Sequence, residues 1–350
     1  MWTPVSRLFS RLAAVIAVVA ALCLAVPVRS FAAPVAPADG YGFGQGAAPV
    51  VYSFEDINRE IDAVTQTSAS WLRVLVDWSK IEPTQGQYDW AYLDNIVNYA
   101  TSHGLRVLGV LAYTPTWARP QGPGMLFWTV PPKNPGDFAN FATAAVGRYG
   151  DRIQNWEIWN EPNLPLFFGF TDKKAERYAE LLKAVYPAIK GAQPGATVVA
   201  GGLSRIGGRD SPPGFLQQMY DAGAGPFFDA ANAHPYVFPG GLAADSKNGW
   251  SDVGRMRDVM VAHGDAGKKI WMTEIGAPTS TGTDGVSPQE QAKQITDVMS
   301  AAAGTDFSGP VFIYSIRDTN SADGDNRERN FGALLTSDWQ PKYTAGVLAR

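Results

Sequence analysis

An α/β chain folded as a single (β/α)8 TIM barrel is the fold class this sequence predicts, and three observations predict it. Strand-like and helix-like segments alternate eight times along the 350 residues. The strand segments are mostly apolar throughout, as parallel strands covered on both faces must be. No Gly-rich phosphate turn follows the first strand at Gly46, which argues against an open, doubly wound sheet.

The units follow in order. Tyr41–Gly46 reads as a short, Gly-spaced strand, and Ser53-Phe-Glu-Asp56 as a capping box opening an amphipathic helix to about Ser68. Trp71–Trp78 is the second strand, and Tyr88–Ser102 the helix after it, stopped by His103-Gly104. Leu105–Tyr113 is a near-continuous apolar run before helical Pro135–Tyr149. Ile153–Trp159 pairs with Thr171–Ala192, Ala196–Gly201 with Pro213–Ala222, and Phe228–Tyr236 with Trp250–Ala262. Lys269–Glu274 with Pro288–Ala303, then Pro310–Ile316 with Pro341–Leu348, complete the eight.

Ahead of them, Arg7 and Arg11 precede an apolar stretch from Ala13 to Val28, followed by Arg29. This is the pattern of a secretory signal, and the stretch is shorter than the roughly 20 apolar residues of a transmembrane anchor. Small residues allow cleavage after Ala32 or Ala38. Ala38 is favoured because the Pro-rich strip 34–38 reads as accessible chain. Residues 1–38 are therefore expected to be signal and strip, and 39–350 the barrel of a secreted or cell-wall-associated protein. Removing 1–38 takes away three Arg and the only Cys, shifting the net charge from −4 to −7.

Composition excludes several classes. No basic cluster accompanies the 29 Lys and Arg, so a nucleic-acid partner is not expected. One Cys and three His leave no disulfide framework and no Cys/His zinc site, and neither metal nor cofactor is expected.

A barrel of this kind carries its chemistry on the C-terminal ends of its strands and the loops beyond. Two carboxylates end strands there. Asn155–Asn163 reads N-W-E-I-W-N-E-P-N, and Pro162 must stop the ladder, making Glu161 the last strand residue. Glu274 ends the seventh strand, just before Gly276 and Pro278. Two acids facing one cleft suit glycoside hydrolysis, one protonating the leaving oxygen and the other attacking or activating water. Glu157 shares face parity with Glu161 but sits deeper, and reads as a buried partner for Arg73. His103 and His263 each precede a Gly at a helix end and are explained by that position. The long loops carry Trp117, Phe127, Trp128, Phe167, Phe168 and Phe170, aromatic faces that suit sugar C–H surfaces or pack the loops onto the barrel.

With W-N-E-P on the fourth strand and a lone Glu ending the seventh, the chain resembles clan A of the glycoside hydrolases, nearest families 5 and 39. The resemblance spans all eight units. It implies that Glu161 is the acid/base, Glu274 the nucleophile, and that the anomeric configuration is retained. It further implies that Arg73 keeps the nucleophile ionised and that Asn160 binds the sugar 2-hydroxyl. His234 and Tyr236 match the sixth-strand pair near the nucleophile. The clan's Trp platform at the end of strand eight is absent, leaving Tyr314 the nearest aromatic and Ile316 as an alternative occupant. Tyr113-Thr-Pro-Thr-Trp117 lacks the third-strand His of family 5 and leans toward family 39.

The leading expectation is thus a secreted, retaining β-glycosidase acting on a polysaccharide or oligosaccharide, with a furanoside of a cell-wall polymer as an open substrate class. A non-catalytic glycan-binding barrel is the alternative, though such a descendant need not keep both acids. A phosphate-substrate barrel would want a catalytic Lys, and Lys268 and Lys269 lie at the wrong end of their strand. The oligomeric state is left open.

Overall fold

A computed structural model describes residues 35–46, 53–120, 128–247 and 249–350. The expected signal segment, apart from 35–38, lies outside the described residues, as does Phe127. Eight parallel strands close in sequence order: β1 (Tyr41–Gly44), β2 (Trp71–Asp77), β3 (Arg106–Ala112), β4 (Asn155–Asn160), β5 (Thr197–Ser204), β6 (Ala230–His234), β7 (Lys269–Ile275) and β8 (Ser308–Tyr314). β1 pairs with β8 from Tyr41↔Val311 to Gly44↔Tyr314, which seals the cylinder.

Helices α1 (Phe54–Thr65), α2 (Ala91–Ser102), α3 (Pro135–Tyr149), α4 (Lys174–Ala192), α5 (Pro212–Asp221), α6 (Ser251–Ala262), α7 (Pro288–Ala303) and α8 (Tyr343–Leu348) follow the strands in turn. The Ser53 hydroxyl accepts from Asp56 N at 3.0 Å, capping α1, and Ser287 caps α7 in the same way. Their buried stripes, such as Ile57, Ile61 and Val64 on α1, pack against the outside of the strands.

Several boundaries differ from expectation. β2 ends at Asp77, whose carboxylate caps a single helical turn at Trp78–Ile81. α2 begins at Ala91, because Tyr88 is outside the helix and stacks on Trp90. β8 begins two residues early and ends at Tyr314, leaving Ile316 fully buried in the core beyond it. Residues 35–38 of the strip are not simply accessible chain. Ala36 packs against the core, Pro37 is buried, and Asp39 pairs with Lys269 at 2.8 Å.

The N-terminal end of the barrel is plugged by Trp71, Leu108, Val199, Ala230, Trp271 and Phe312. Trp71 meets Trp271 edge-on at 5.5 Å between ring centroids, and its Nε1 donates to Asp39 O. Gly42 makes room there, since a Cβ on it would stand 2.4 Å from Trp71 O. The plug directs any cleft to the opposite end, and inward side chains two residues along each strand form its floor.

Candidate active site

Stepping two residues up from the plug replaces apolar rings with polar groups. Trp71 gives way to Arg73 on β2, Trp271 to Thr273 on β7, and Ala230 to Asn232 and then His234 on β6. On β4 Glu157 reaches the same level, fully buried. A charge in such a place must be paired.

Arg73 is the hub. Its Nε donates to Glu157 Oε2 at 2.8 Å and its Nη2 to Glu157 Oε1 at 2.9 Å, a bidentate grip on the partner expected for it. Nη1 donates to Glu274 Oε1 at 2.7 Å, and Nη2 also to Asn160 Oδ1 at 2.8 Å. Burial opposes the Arg73 charge, but Glu157 and Glu274 more than restore it, so the guanidinium is held firmly protonated.

Glu274 has a second donor in Tyr236, whose hydroxyl lies 3.0 Å from Oε2. Burial pushes the Glu274 carboxyl up, yet His234, Arg73 and the Tyr236 hydroxyl outweigh it and hold the group below the ordinary Glu value of 4.5. The Tyr236 phenol is pushed well above its usual range, chiefly by burial and then by the Glu274 charge, and so remains a donor.

Glu161 lies across the cleft from this supported carboxylate. Its Oε1 is 2.9 Å from His234 Nδ1, which in turn stands 3.6 Å from Glu274 Oε2. One polar atom from each of Glu161, His234 and Glu274 falls within 4.8 Å of the other two. The spacing would suit a cation, and the Arg73 guanidinium, 2.7 Å from Glu274, already supplies one fixed positive charge there. His234 is completely buried, and burial alone would strip its proton. Glu274 and Glu161 reverse that and raise its affinity for the proton.

The backbone explains how neighbouring residues share this cleft. Glu161 was expected to end β4 in alternation with Glu157, but the strand ends at Asn160. Trp159 and Glu161 instead adopt left-handed backbone, with φ of 73° and 47°. Such conformations are costly for non-glycine residues and persist where the surroundings impose them. Here Trp159 is fully buried, with Nε1 donating to Phe167 O at 2.7 Å. The break in alternation turns both Asn160 and Glu161 inward. On β7 the register against β8 shifts between Met272 and Ile275, so Thr273 and Glu274 both reach the polar network.

The expected aromatic residues divide. Tyr314, half-buried at the end of β8, packs edge-on against Phe331 at 5.3 Å, and Phe331 in turn meets Tyr236. Trp117 is drawn elsewhere: its Nε1 donates to Glu82 O and its ring stands perpendicular to Trp78. Phe168 is buried, whereas Trp128 and Phe170 are exposed. His103 and His263 cap α2 and α6, each with Nδ1 on a carbonyl of its own last turn.

Sequence reasoning passed over Thr273, Asn232, Tyr113, Phe331 and Gly202. Tyr113, at the end of β3 with φ of 70°, has its hydroxyl pushed up by burial and lies within the fields of Arg73, Glu274 and Glu161. Its place just past an apolar strand was the available signal. Gly202 is required by His234, because a Cβ on it would stand 2.0 Å from the ring Nε2.

Comparison with known proteins finds glycoside hydrolases by sequence and by fold. The glycoside hydrolase family 42 description, beta-galactosidase, matches residues 49–127. A beta-xylosidase of Geobacillus stearothermophilus is 28% identical over 133 residues, covering 35% of this chain and 26% of that protein. Among solved structures, a family 39 glycoside hydrolase from the gut symbiont Bacteroides cellulosilyticus WH2 superposes with a TM-score of 0.68. It is 27% identical, with 90% of this chain and 64% of that one covered. A monomeric beta-xylosidase from Caulobacter crescentus CB15 has a TM-score of 0.64 at 19% identity, covering 91% and 69%. The chain thus spans about a quarter of the curated xylosidase's length and just under two thirds of the family 39 structure. It resembles clan A glycoside hydrolases in fold and in sequence.

Proposed function

We propose that this chain is a secreted glycoside hydrolase that cleaves β-linked O-glycosidic bonds with retention of configuration. The observation that carries the reading is a carboxylate held charged, Glu274, facing a second acid, Glu161, across a gap of at most 4.8 Å between their nearest oxygens. Retaining enzymes place their two carboxyl groups about 5–5.5 Å apart, whereas inverting enzymes leave about 6.5–9.5 Å for a water molecule. The close approach supports double displacement.

In the first step Glu274 attacks the anomeric carbon while Glu161 passes its proton to the departing glycosidic oxygen. The product is a glycosyl ester on Glu274 and a free leaving group. In the second step Glu161 takes a proton from water, whose oxygen attacks the same carbon and releases Glu274. Asn160 is positioned for the sugar 2-hydroxyl: Arg73 occupies its Oδ1, which orients the amide and leaves Nδ2 to donate to a ligand. Secretion is inferred from residues 1–38 and places the substrate outside the cell.

The names of the similar proteins make β-xylosides, β-glucosides and β-galactosides the first substrates to test. Tyr314 in place of a Trp platform keeps furanosides among the candidates. A panel of chromogenic β-pyranosides and furanosides, with the product anomer followed by NMR, tests the reading. Release of the β-anomer from a β-glycoside supports it. Release of the α-anomer, or no turnover of any glycoside, contradicts it.

A further inference from the structure

Behind the catalytic pair, the buried face of His234 meets a hydroxyl whose single proton can be assigned. His234 Nε2 lies 3.0 Å from Thr273 Oγ1. The backbone N–H of Thr273 donates to Asn232 Oδ1 at 3.2 Å, which fixes the orientation of that amide. Asn232 Nδ2 then donates to Thr273 Oγ1 at 2.8 Å. The Thr273 proton has two possible acceptors, His234 Nε2 and Glu157 Oε1, the latter at 3.2 Å.

Glu157 is paired with Arg73 and fully buried, and a hydrogen bond to an ionised acceptor is the stronger choice. Turning the hydroxyl toward His234 would set its lone pairs against a carboxylate oxygen among fully buried groups. Oγ1 therefore gives its proton to Glu157 and accepts from Nε2.

We propose that Thr273 is a positioning residue that locks His234 as the Nε2–H form, so that the Nδ1 lone pair faces Glu161 and the two groups hold one proton between them. The shared proton lies within the 2.9 Å between Glu161 Oε1 and Nδ1: on the ring it makes the cation that helps hold Glu274 charged, and on Glu161 it is the one a leaving group can take. The lock favours keeping the proton until a leaving group takes it, and drawing one back from water afterwards. This consequence for rate rests on the proposed hydrolase reading, but the tautomer does not.

The groups facing His234 are Glu161 and Glu157 from β4 and its end, Arg73 from β2, Thr273 and Glu274 from β7, and Tyr236 beyond its own strand. Gly202 of β5 supplies the space for the ring. Each charged member already has a partner, so the proton on the Glu161–His234 pair is the one that can move.

Long-range 1H–15N correlation on the full-length labelled protein reads the tautomer directly, because only three His are present and His103 and His263 can be assigned by substitution. Nε2 of His234 is expected to be protonated, and a bare Nε2 overturns the proposal. No substrate is needed, so an absence of glycosidase turnover would count against the function and leave this result standing. In the active enzyme, Thr273→Val frees the ring to donate from Nδ1 to Glu161, which moves the basic limb of the pH–rate profile down by about one unit. Thr273→Ser should restore the limb. A basic limb that stays in place in Thr273→Val, or a Ser variant that behaves like Val, overturns the proposal.

Discussion

Arg73 Nη1 stands 2.7 Å from Glu274 Oε1 while the rest of the same guanidinium grips Glu157, so one cation serves two acids on different strands. The pairing makes β2, β4 and β7 a single electrostatic unit. It also separates the two deep acids by role. Glu157 is sealed beneath the cleft, whereas Glu274 keeps part of its side chain exposed to whatever enters.

Replacing Arg73 with Met should leave two acids facing each other without their cation. Loss of one partner from a buried pair costs about 3–5 kcal/mol, so urea denaturation should show a large drop in stability. Arg73→Lys should recover part of that stability but little activity, since an ammonium cannot bridge Glu157, Glu274 and Asn160 at once.

The pH dependence follows from the sign of the Glu274 shift. Its folded value lies below 4.5, so its contribution to stability is present above the unfolded value and fades as pH falls through the folded one. The acidic limb of activity should accordingly lie below the ordinary Glu range. Tyr236→Phe removes one donor to the charged carboxylate, worth about 1.5–3 kcal/mol, and should move the acidic limb upward while lowering kcat/KM by about tenfold to a hundredfold. An unmoved acidic limb would separate Tyr236 from the nucleophile.

Gly202→Ala places a methyl group 2.0 Å from the His234 ring. The ring must shift away from Thr273 and Glu161, and overpacking of this kind costs about 1–3 kcal/mol. Thermal unfolding should show the loss of stability, and kcat should fall more than KM changes.

Tyr314 and Trp117 should behave differently when truncated to Ala. Tyr314 sits beside Phe331 and Tyr236, so its loss should raise KM with little effect on stability. Trp117 holds Glu82 O and the edge of Trp78, so its loss should destabilise by about 3 kcal/mol and leave KM unchanged.

Much of this site was legible in the sequence because its residues are extreme choices for their positions. Arg73 and Glu157 are charges within apolar strands, so each called for the other. Pro162 marked the end of the fourth ladder to within one residue, since the strand stops at Asn160 and Glu161 lies just beyond it. Alternation could not show that Asn160 and Glu161 both turn inward, because that depends on left-handed backbone at Trp159 and Glu161. Thr273 and Asn232 passed unnoticed for a different reason. Both are uncharged residues of ordinary strands, and their importance lies in hydrogen bonds made across 41 positions of sequence. Pro37, read as part of an accessible strip, is buried at the plugged end.

The central claim is that Glu274 forms the covalent bond and Glu161 handles the proton. Mutants should differ in kind. Glu161→Ala should accumulate a glycosyl-enzyme from a substrate with a good leaving group, and added azide should restore turnover with retained configuration. Glu274→Ala should form no adduct, and azide should give a product of inverted configuration. Peptide mass spectrometry of the unmutated enzyme trapped with a 2-deoxy-2-fluoro glycoside is the most direct measurement. The account predicts the sugar on Glu274, and an adduct on Glu161 or Glu157 would contradict it.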